Sequence, residues 1–185
     1  GDVRFDNVLL PLGARLGAAG EGLALVLATL AVFRVSVAGA SVGLAQAALE
    51  EATRHARTRV QFGRPLARLG PVAQLLAGGW TEIEMARLLC LKTAWMMDNV
   101  DAKEARVWIS MIKTAVPNIS IRIVDEAIQM FGALGVSQDT PLANMYMAQR
   151  TLRLADGPDA VHRMVVGRHE LKKYVPQMGA TNATF

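Results

Sequence analysis

The sequence predicts an all-α protein, an antiparallel up-and-down helical bundle of three long helices and two shorter ones. Of its 185 residues, 52% are hydrophobic and only 5% are aromatic. This balance favours closely packed helices over a sheet, which would use more aromatic and β-branched side chains. Glycine and proline breaks separate long apolar stretches and set the boundaries of the predicted helices.

The chain is expected to begin with a remnant of another domain. Residues 1–20 are predicted to be the strand and loop remnant of a preceding β-domain, because "VRFDNVLLP" alternates weakly and "LGARLGAAGEG" is rich in glycine. A lone strand cannot satisfy its own backbone, so we expect it to pair with a sheet outside this chain. Residues 21–174 are predicted to form the helical bundle and residues 175–185 a flexible tail.

Five helices are expected from the apolar periodicity and the break residues. The first is apolar enough to raise a membrane span, but Arg34 lies within the apolar run. Placing an arginine at the centre of a bilayer costs about 2.5–3.5 kcal/mol, so a buried helix that does not span a membrane is favoured. Pro117 is expected to kink the third helix. The predicted helices cover residues 21–58, 72–99, 103–131, 141–154 and 158–174.

Charge and cysteine content narrow the function classes. The net charge is +4, and arginines cluster in "RHARTRVQFGRPLAR", which favours an anionic partner. No aromatic cluster accompanies them, so a phosphate-bearing small molecule is favoured over nucleic acid. A single cysteine, Cys90, predicts core packing and a reducing, cytoplasmic setting. His162 and His169 lack metal-ligand spacing, so no metal is expected.

Three motifs leave a structural and a functional interpretation open. Arg34 stands in an apolar helix and needs either a structural ion pair, with Glu82 or Glu84, or a ligand pocket. "RVQFG" (residues 59–63) is either a basic helix end or an anion-binding turn, and "QMFGALG" (residues 129–135) is a helix C-cap or a ligand loop. It is not a dinucleotide fingerprint, since it follows a helix.

Asp156, in "LADGPD", is the candidate carboxylate. The Gly-Pro pair and the acidic residues suit a helix N-terminus, so the pattern by itself favours capping or turn formation over catalysis.

Read in order, these segments resemble the C-terminal domain of the acyl-CoA dehydrogenase family. "FRVSVAGASVGLAQAALEEATRHARTRVQFGRPLA" resembles the family's long first helix and flavin-contacting turn. "AIQMFGALGVSQDTPLANMYMAQRTLRLADGPDAVHR" resembles its glycine loop and catalytic segment. The segments "VSQDTPLANMY" and "RLADGPD" are most similar to the branch of family members ten and eleven.

The resemblance implies α,β-dehydrogenation of an acyl-CoA thioester, with FAD as cofactor. A carboxylate removes the α-proton while the β-hydride passes to the flavin. The base needs a dry pocket close to the α-carbon. The resemblance further implies a homo-oligomer, dimer or tetramer, with FAD at the subunit interface and electron-transferring flavoprotein as the acceptor.

Site residues follow from the resemblance alone. Asp156 takes the place of the family's catalytic glutamate and is one methylene shorter. Some members place the base before the arginine of the first helix, where this chain has Phe33. The remaining positions group by ligand: near the substrate are Arg34, Gly157 and Arg168; near FAD are Arg59, Phe62, Gln129, Gly132, Pro158 and Asp159.

The alternative function is a non-catalytic helical oligomerisation module, or a relic that lacks the flavin-holding domains. The missing domains and the shortened carboxylate motivate it.

Overall fold

The computed structural model describes residues 1–174, and the predicted all-α bundle is confirmed. Every helix begins and ends within two residues of the predicted position. The predicted flexible tail lies outside the described residues. In this part of the chain the helices are α1 (Gly22–Thr58), α2 (Gly70–Asn99), α3 (Ala102–Phe131), α4 (Leu142–Leu152) and α5 (Asp159–Lys172), and a hairpin of β1 (Val60–Gln61) and β2 (Arg64–Pro65) joins α1 to α2.

Helix α3 is the centre of the bundle and packs against α1, α2, α4 and α5. Small residues on α1, such as Ala38 and Ala45, are buried against α3, so the two backbones can approach closely. The hydroxyl of Ser120 donates to the carbonyl of Ser41 across this contact at 3.0 Å. Because α3 touches four helices, it can link parts of the molecule that are far apart in sequence.

The ends of α3 follow from local chemistry. The Asp101 carboxylate caps its N-terminus by accepting the backbone N–H groups of Lys103 and Glu104, each at 2.9 Å. The helix runs on through Pro117, which is buried. It ends at Gly132, whose φ of 62° needs a glycine-like conformation. The C-cap interpretation of "QMFGALG" is therefore correct as far as the backbone is concerned.

Helix α1 has one covered half and one uncovered half, which corrects the expectation that the whole apolar run is buried. From Ala38 onwards it packs into the core, whereas earlier residues such as Leu23 and Phe33 are exposed, Phe33 by 57%. By length and hydropathy alone, α1 and the segment Ala102–Val136 could each cross a membrane, with 6% and 61% of their most apolar windows buried. Hydropathy predicted the helix, but it could not say how much of it this chain covers.

The first twenty residues form neither a strand nor an α-helix, apart from a 3₁₀ turn at Leu12–Ala14. Their side chains are exposed. Within residues 1–174 no neighbouring strand is available to pair with them, so the strand remnant stays a prediction.

Candidate functional site

The turn that joins α4 to α5 has a left-handed backbone at two consecutive residues. Asp156 has φ 55° and Gly157 has φ 107°. A non-glycine residue in this region costs free energy and persists where the surroundings hold it. The carbonyl groups of this turn point at neighbouring helices, and their bonding partners explain how the conformation is kept.

Three cationic or ring side chains from three helices hold these carbonyls. Arg34 of α1 donates from Nε and Nη2 to the carbonyl oxygen of Asp156, at 3.0 and 2.8 Å. His162 of α5 lies 3.2 Å from the same oxygen. Lys113 of α3 donates from Nζ to the carbonyls of Leu152 and Gly157, at 2.5 and 3.2 Å. The turn is therefore fixed by α1, α3 and α5 together.

Arg34 has no ion pair with Glu82 or Glu84, so that interpretation of its charge is wrong. Glu82 pairs with Arg122, and Glu84 pairs with Arg87. Burial lowers the pKa of Arg34, the charge of Asp156 acts in the opposite direction, and Arg106 lowers it further. Arg34 contacts the backbone of the turn and lines a cleft.

The tautomer of His162 follows from its two partners. A carbonyl oxygen only accepts, so Nε2 carries the proton towards Asp156. Nδ1 then accepts from the hydroxyl of Ser110, 3.2 Å away. Burial lowers the pKa of His162, and the charges of Arg34 and Lys113 lower it further. The neutral ring thus bridges α3 and the turn.

Asp159, in the first turn of α5, is held by its own set of partners. Its carboxylate accepts from Arg153 at 2.8 Å and from Asn118 at 3.1 Å. Although burial raises the pKa of Asp159, the hydrogen bonds from Asn118 and Arg153 and the charges of Arg153 and Arg163 hold it below its ordinary value. No side chain caps α5, whose N-cap is Pro158, so Asp156 is not a helix cap. The turn interpretation of Asp156 is correct.

A cleft of about 470 Å³ opens beside the turn. It lies between the exposed half of α1, the start of α3 and the start of α5, and Gly157 forms part of its wall. Most of its surface is apolar, with Leu27 and Val165 among the contributors, while the guanidinium groups of Arg34 and Arg106 supply positive charge.

A second cleft, of about 460 Å³, lies at the other end of α1. Arg59, Gln129 and Gly132 all line it, so the structure brings together three of the residues that the motifs selected. Phe62 stands apart at the tip of the β1–β2 hairpin, with φ 53° and 92% of its surface exposed.

The two clefts are far apart. Arg34 lines the first cleft and Arg59, which directly follows α1, lines the second. The 25 steps between them rise about 1.5 Å each, so their backbones lie about 37 Å apart along the helix axis. A ligand molecule shorter than this separation cannot occupy both clefts of the same chain.

Five of the selected residues line neither cleft: Asp156, Phe62, Pro158, Asp159 and Arg168. Asp156 adjoins the first cleft through Gly157, whereas Arg168 lies further along its helix. Arg168 is exposed on α5, two turns after Val161, which lines the first cleft.

Lys113 was not among the residues selected from the sequence, although "WISMIKTAV" places a lysine among apolar residues just as "AVFRVSV" places Arg34. Cys90 is half-buried against the core, and burial raises the pKa of its thiol to about 11. Across residues 1–174 no cluster of three metal-binding side chains is present.

Comparison with known proteins assigns this bundle to a class of oxidoreductase domain. A family model described as "Acyl-CoA dehydrogenase, C-terminal domain" matches residues 20–171. The chain therefore belongs to the acyl-CoA dehydrogenase family, and the resemblance stated from its motifs is confirmed.

Individual relatives agree. The chain is 42% identical over 172 residues to "Probable acyl-CoA dehydrogenase FadE2" of Mycobacterium tuberculosis, covering 93% of this chain and 42% of that protein. It is 40% identical over 172 residues to acyl-CoA dehydrogenase family member 10 of Mus musculus, covering 93% of this chain and 16% of that protein. Family member 11 is also among the relatives, so the predicted branch is confirmed.

The fold matches as well. Butyryl-CoA dehydrogenase from Megasphaera elsdenii superimposes with a TM-score of 0.83 at 31% identity, covering 90% of this chain and 43% of that one. The chain spans less than half the length of each of these relatives.

Proposed function

We propose that this chain is the base-bearing part of an FAD-dependent acyl-CoA dehydrogenase, with Asp156 as the base that removes the α-proton of an acyl-CoA thioester. The observation that carries the proposal is the left-handed Asp156–Gly157 turn, which side chains of α1, α3 and α5 hold at the wall of an apolar cleft. Strained backbone that is held by surrounding structure is typical of catalytic sites.

The reaction divides between what this chain supplies and what the cofactor supplies. The carboxylate of Asp156 takes the proton from Cα, and the electron pair of that bond forms the double bond to Cβ as the β-hydrogen leaves with its two electrons. FAD, when bound, supplies the acceptor for that hydride. A base works when it lies within hydrogen-bond reach of the proton, so the fixed backbone of Asp156 serves proximity.

The cleft suits the substrate class. Its walls are mainly apolar, as an acyl chain requires, and Arg34 and Arg106 bring guanidinium groups to its surface. A thioester of coenzyme A combines an apolar acyl chain with phosphates, which arginine binds well. Arg168, further along α5, is proposed to meet the substrate beyond this cleft.

The second cleft fits part of FAD. Arg59 offers a guanidinium for a phosphate, and Gln129 offers an amide for polar groups. At Gly132 no atom lies within 4 Å of where a side chain would begin, so a ligand can approach the backbone there. Phe62 at the hairpin tip would pack on the same cofactor. Pro158 and Asp159 are proposed to lie near the flavin of the first cleft, where the ion pair with Arg153 fixes Asp159.

The distance between the clefts favours a homo-oligomer. Since about 37 Å separates Arg34 from Arg59, the chain would contribute its Asp156 turn to one FAD and its "RVQFG" turn to the FAD of a neighbouring subunit. The exposed half of α1 would be covered in that assembly or by flavin-holding domains. Electron-transferring flavoprotein as acceptor and a cytoplasmic setting complete the proposal.

The test uses the holoenzyme in which this chain works. Acyl-CoA thioesters deuterated at Cα are incubated with enzyme, and loss of the label is followed by mass spectrometry. Asp156→Asn keeps the size of the side chain and removes the base, so it should abolish exchange while the flavin absorbance stays. Exchange at the wild-type rate in Asp156→Asn would refute the proposal.

The oligomerisation module is the competing outcome. It predicts a stable dimer or tetramer that holds no flavin under any condition. Mixed oligomers discriminate further: Asp156→Asn and Arg59→Met subunits, each inactive alone, should recover part of the activity when refolded together, because some sites then combine an intact turn from each. No recovery would contradict the shared site.

A further inference from the structure

Lys113 is a buried lysine with no carboxylate partner. It is 1% exposed, and none of the ion pairs among residues 1–174 includes it. A cation removed from water is costly unless hydrogen bonds replace its hydration. The replacement here is two backbone carbonyls, those of Leu152 and Gly157.

These two carbonyls lie on either side of Asp156. Leu152 is the last residue of α4, and Gly157 follows Asp156 directly. Arg34 and His162 both bind the carbonyl of Asp156 itself, so they fix one point of the turn. A segment that is held at one point can still rotate about it. Lys113 binds the carbonyls of Leu152 and Gly157 and so restrains the segment that carries Asp156 on both sides of that residue.

Lys113 lies on α3, the central helix of the bundle. Helix α3 packs against four others, and Ser110, one turn before Lys113, binds His162. Two contacts from one face of α3 therefore reach the turn. We propose that Lys113 is a positioning residue for the proposed base, fixing the span of residues 152–157 so that the Asp156 carboxylate meets the α-carbon. The inference rests on the proposed function of Asp156.

The test substitutes the amine without changing the volume. Lys113→Met in the holoenzyme removes both hydrogen bonds, and Lys92→Met removes the same atoms from an exposed lysine of α2, above Trp95. The readouts are loss of label from Cα-deuterated acyl-CoA, kcat and KM with a dye acceptor, and flavin absorbance. The thioester used is the one that the wild type exchanges fastest.

Lys113→Met should lower exchange and kcat about 100-fold, as expected for a displacement of the base by about 1 Å, while KM changes less than about threefold and flavin stays bound. Lys92→Met should match the wild type. A residue needed only for stability would lower the melting temperature and leave kcat of the folded fraction intact, and that result overturns the proposal.

A second variant covers poor folding. Lys113→Gln keeps an N–H donor but is too short to bridge both carbonyls, so it should give an intermediate loss of kcat. If neither variant yields folded flavoprotein, Lys113 is a residue of the fold and the proposal fails. The two proposals can fail separately. Retained exchange in Asp156→Asn would refute Asp156 as the base. Lost exchange in Asp156→Asn together with full exchange in Lys113→Met would refute only the positioning role of Lys113.

Discussion

Two turns of the molecule each have positive φ at two consecutive residues, but one turn is exposed and the other is held by neighbouring helices. Phe62–Gly63 has φ values of 53° and 76°, and Asp156–Gly157 has φ values of 55° and 107°. In each, a residue that prefers negative φ precedes a glycine. The first turn closes an exposed hairpin, where two positive φ values match the twist of the strands. The second is enclosed by three helices.

The two turns differ in whether side chains of this chain hold the strained, positive-φ backbone in place. Arg34, Lys113 and His162 bind the carbonyls of the Asp156 turn, so its conformation is fixed before any ligand arrives. Phe62 has 92% of its surface exposed, so its ring gains nothing from this chain. Contacts within this chain hold the Asp156 turn, whereas the aromatic ring at the tip of the Phe62 turn stays exposed to solvent.

The largest effect should come from adding a methyl group to each turn. Gly157→Ala forces a side chain into positive φ and places its Cβ 2.8 Å from Nε2 of the buried His162. Gly63→Ala meets the same backbone strain with no atom within 4 Å. We expect the free energy of unfolding to fall by about 3 kcal/mol for Gly157→Ala and by about 1 kcal/mol for Gly63→Ala. Urea unfolding measures both, and equal losses would break the comparison.

Removing one holder of the Asp156 turn should cost less. Arg34→Met keeps the side-chain stem and deletes both hydrogen bonds to the Asp156 carbonyl. Bonds from a charged donor contribute about 1.5–3 kcal/mol, and water can reach part of this half-buried site, so a loss of about 1.5 kcal/mol is expected. Arg87→Met, which affects only an exposed i,i+3 pair with Glu84, is the control and should change unfolding by less than about 0.5 kcal/mol.

The Phe62 turn should gain stability when its strain is relieved. Asparagine tolerates positive φ better than phenylalanine, so Phe62→Asn is expected to raise the free energy of unfolding by about 0.5 kcal/mol. Under the proposed function the same change should weaken FAD binding in the holoenzyme, measured by flavin release during gel filtration. A loss of stability would mean that the ring contributes contacts within this chain.

The sequence predicted the helices closely because each depends on local information. Apolar spacing, the Asp101 cap and Gly132 at a positive φ are all properties of neighbouring residues. The meeting of Arg59 and Gln129 at one cleft has a different origin, because only the family resemblance placed both residues near the same cofactor.

What the sequence could not predict depends on contacts between distant residues. The partner of Arg34 is a backbone carbonyl 122 residues away, which no pattern of charges reveals. The burial of Lys113 was not predicted, because the amine of a lysine in a helix usually reaches solvent. Hydropathy predicts that the N-terminal half of α1 is buried, and only the structure shows that most of its side chains are exposed in this chain.

A pH dependence is also expected at the enclosed turn. His162 is 4% exposed and faces the Asp156 carbonyl, Ser110, Arg34 and Lys113, and burial is the largest cause of its lowered pKa. The unfolded chain therefore binds a proton near pH 6.5 that the folded chain resists. Stability is complete above that pH and falls as the pH drops from it towards the folded pKa, by at most about 1.4 kcal/mol per pH unit.

His162→Gln keeps an N–H donor for the carbonyl and removes the titration. We expect the decline in unfolding free energy between pH 7.5 and pH 5 to be smaller in this variant than in the wild type. It should shrink without vanishing, because burial and Arg59 also lower the pKa of His55, which the variant retains. His169→Gln, at an exposed position of α5, should keep the wild-type decline. An unchanged decline in His162→Gln would mean that the ring is protonated in the folded turn, with Nδ1 donating to Ser110.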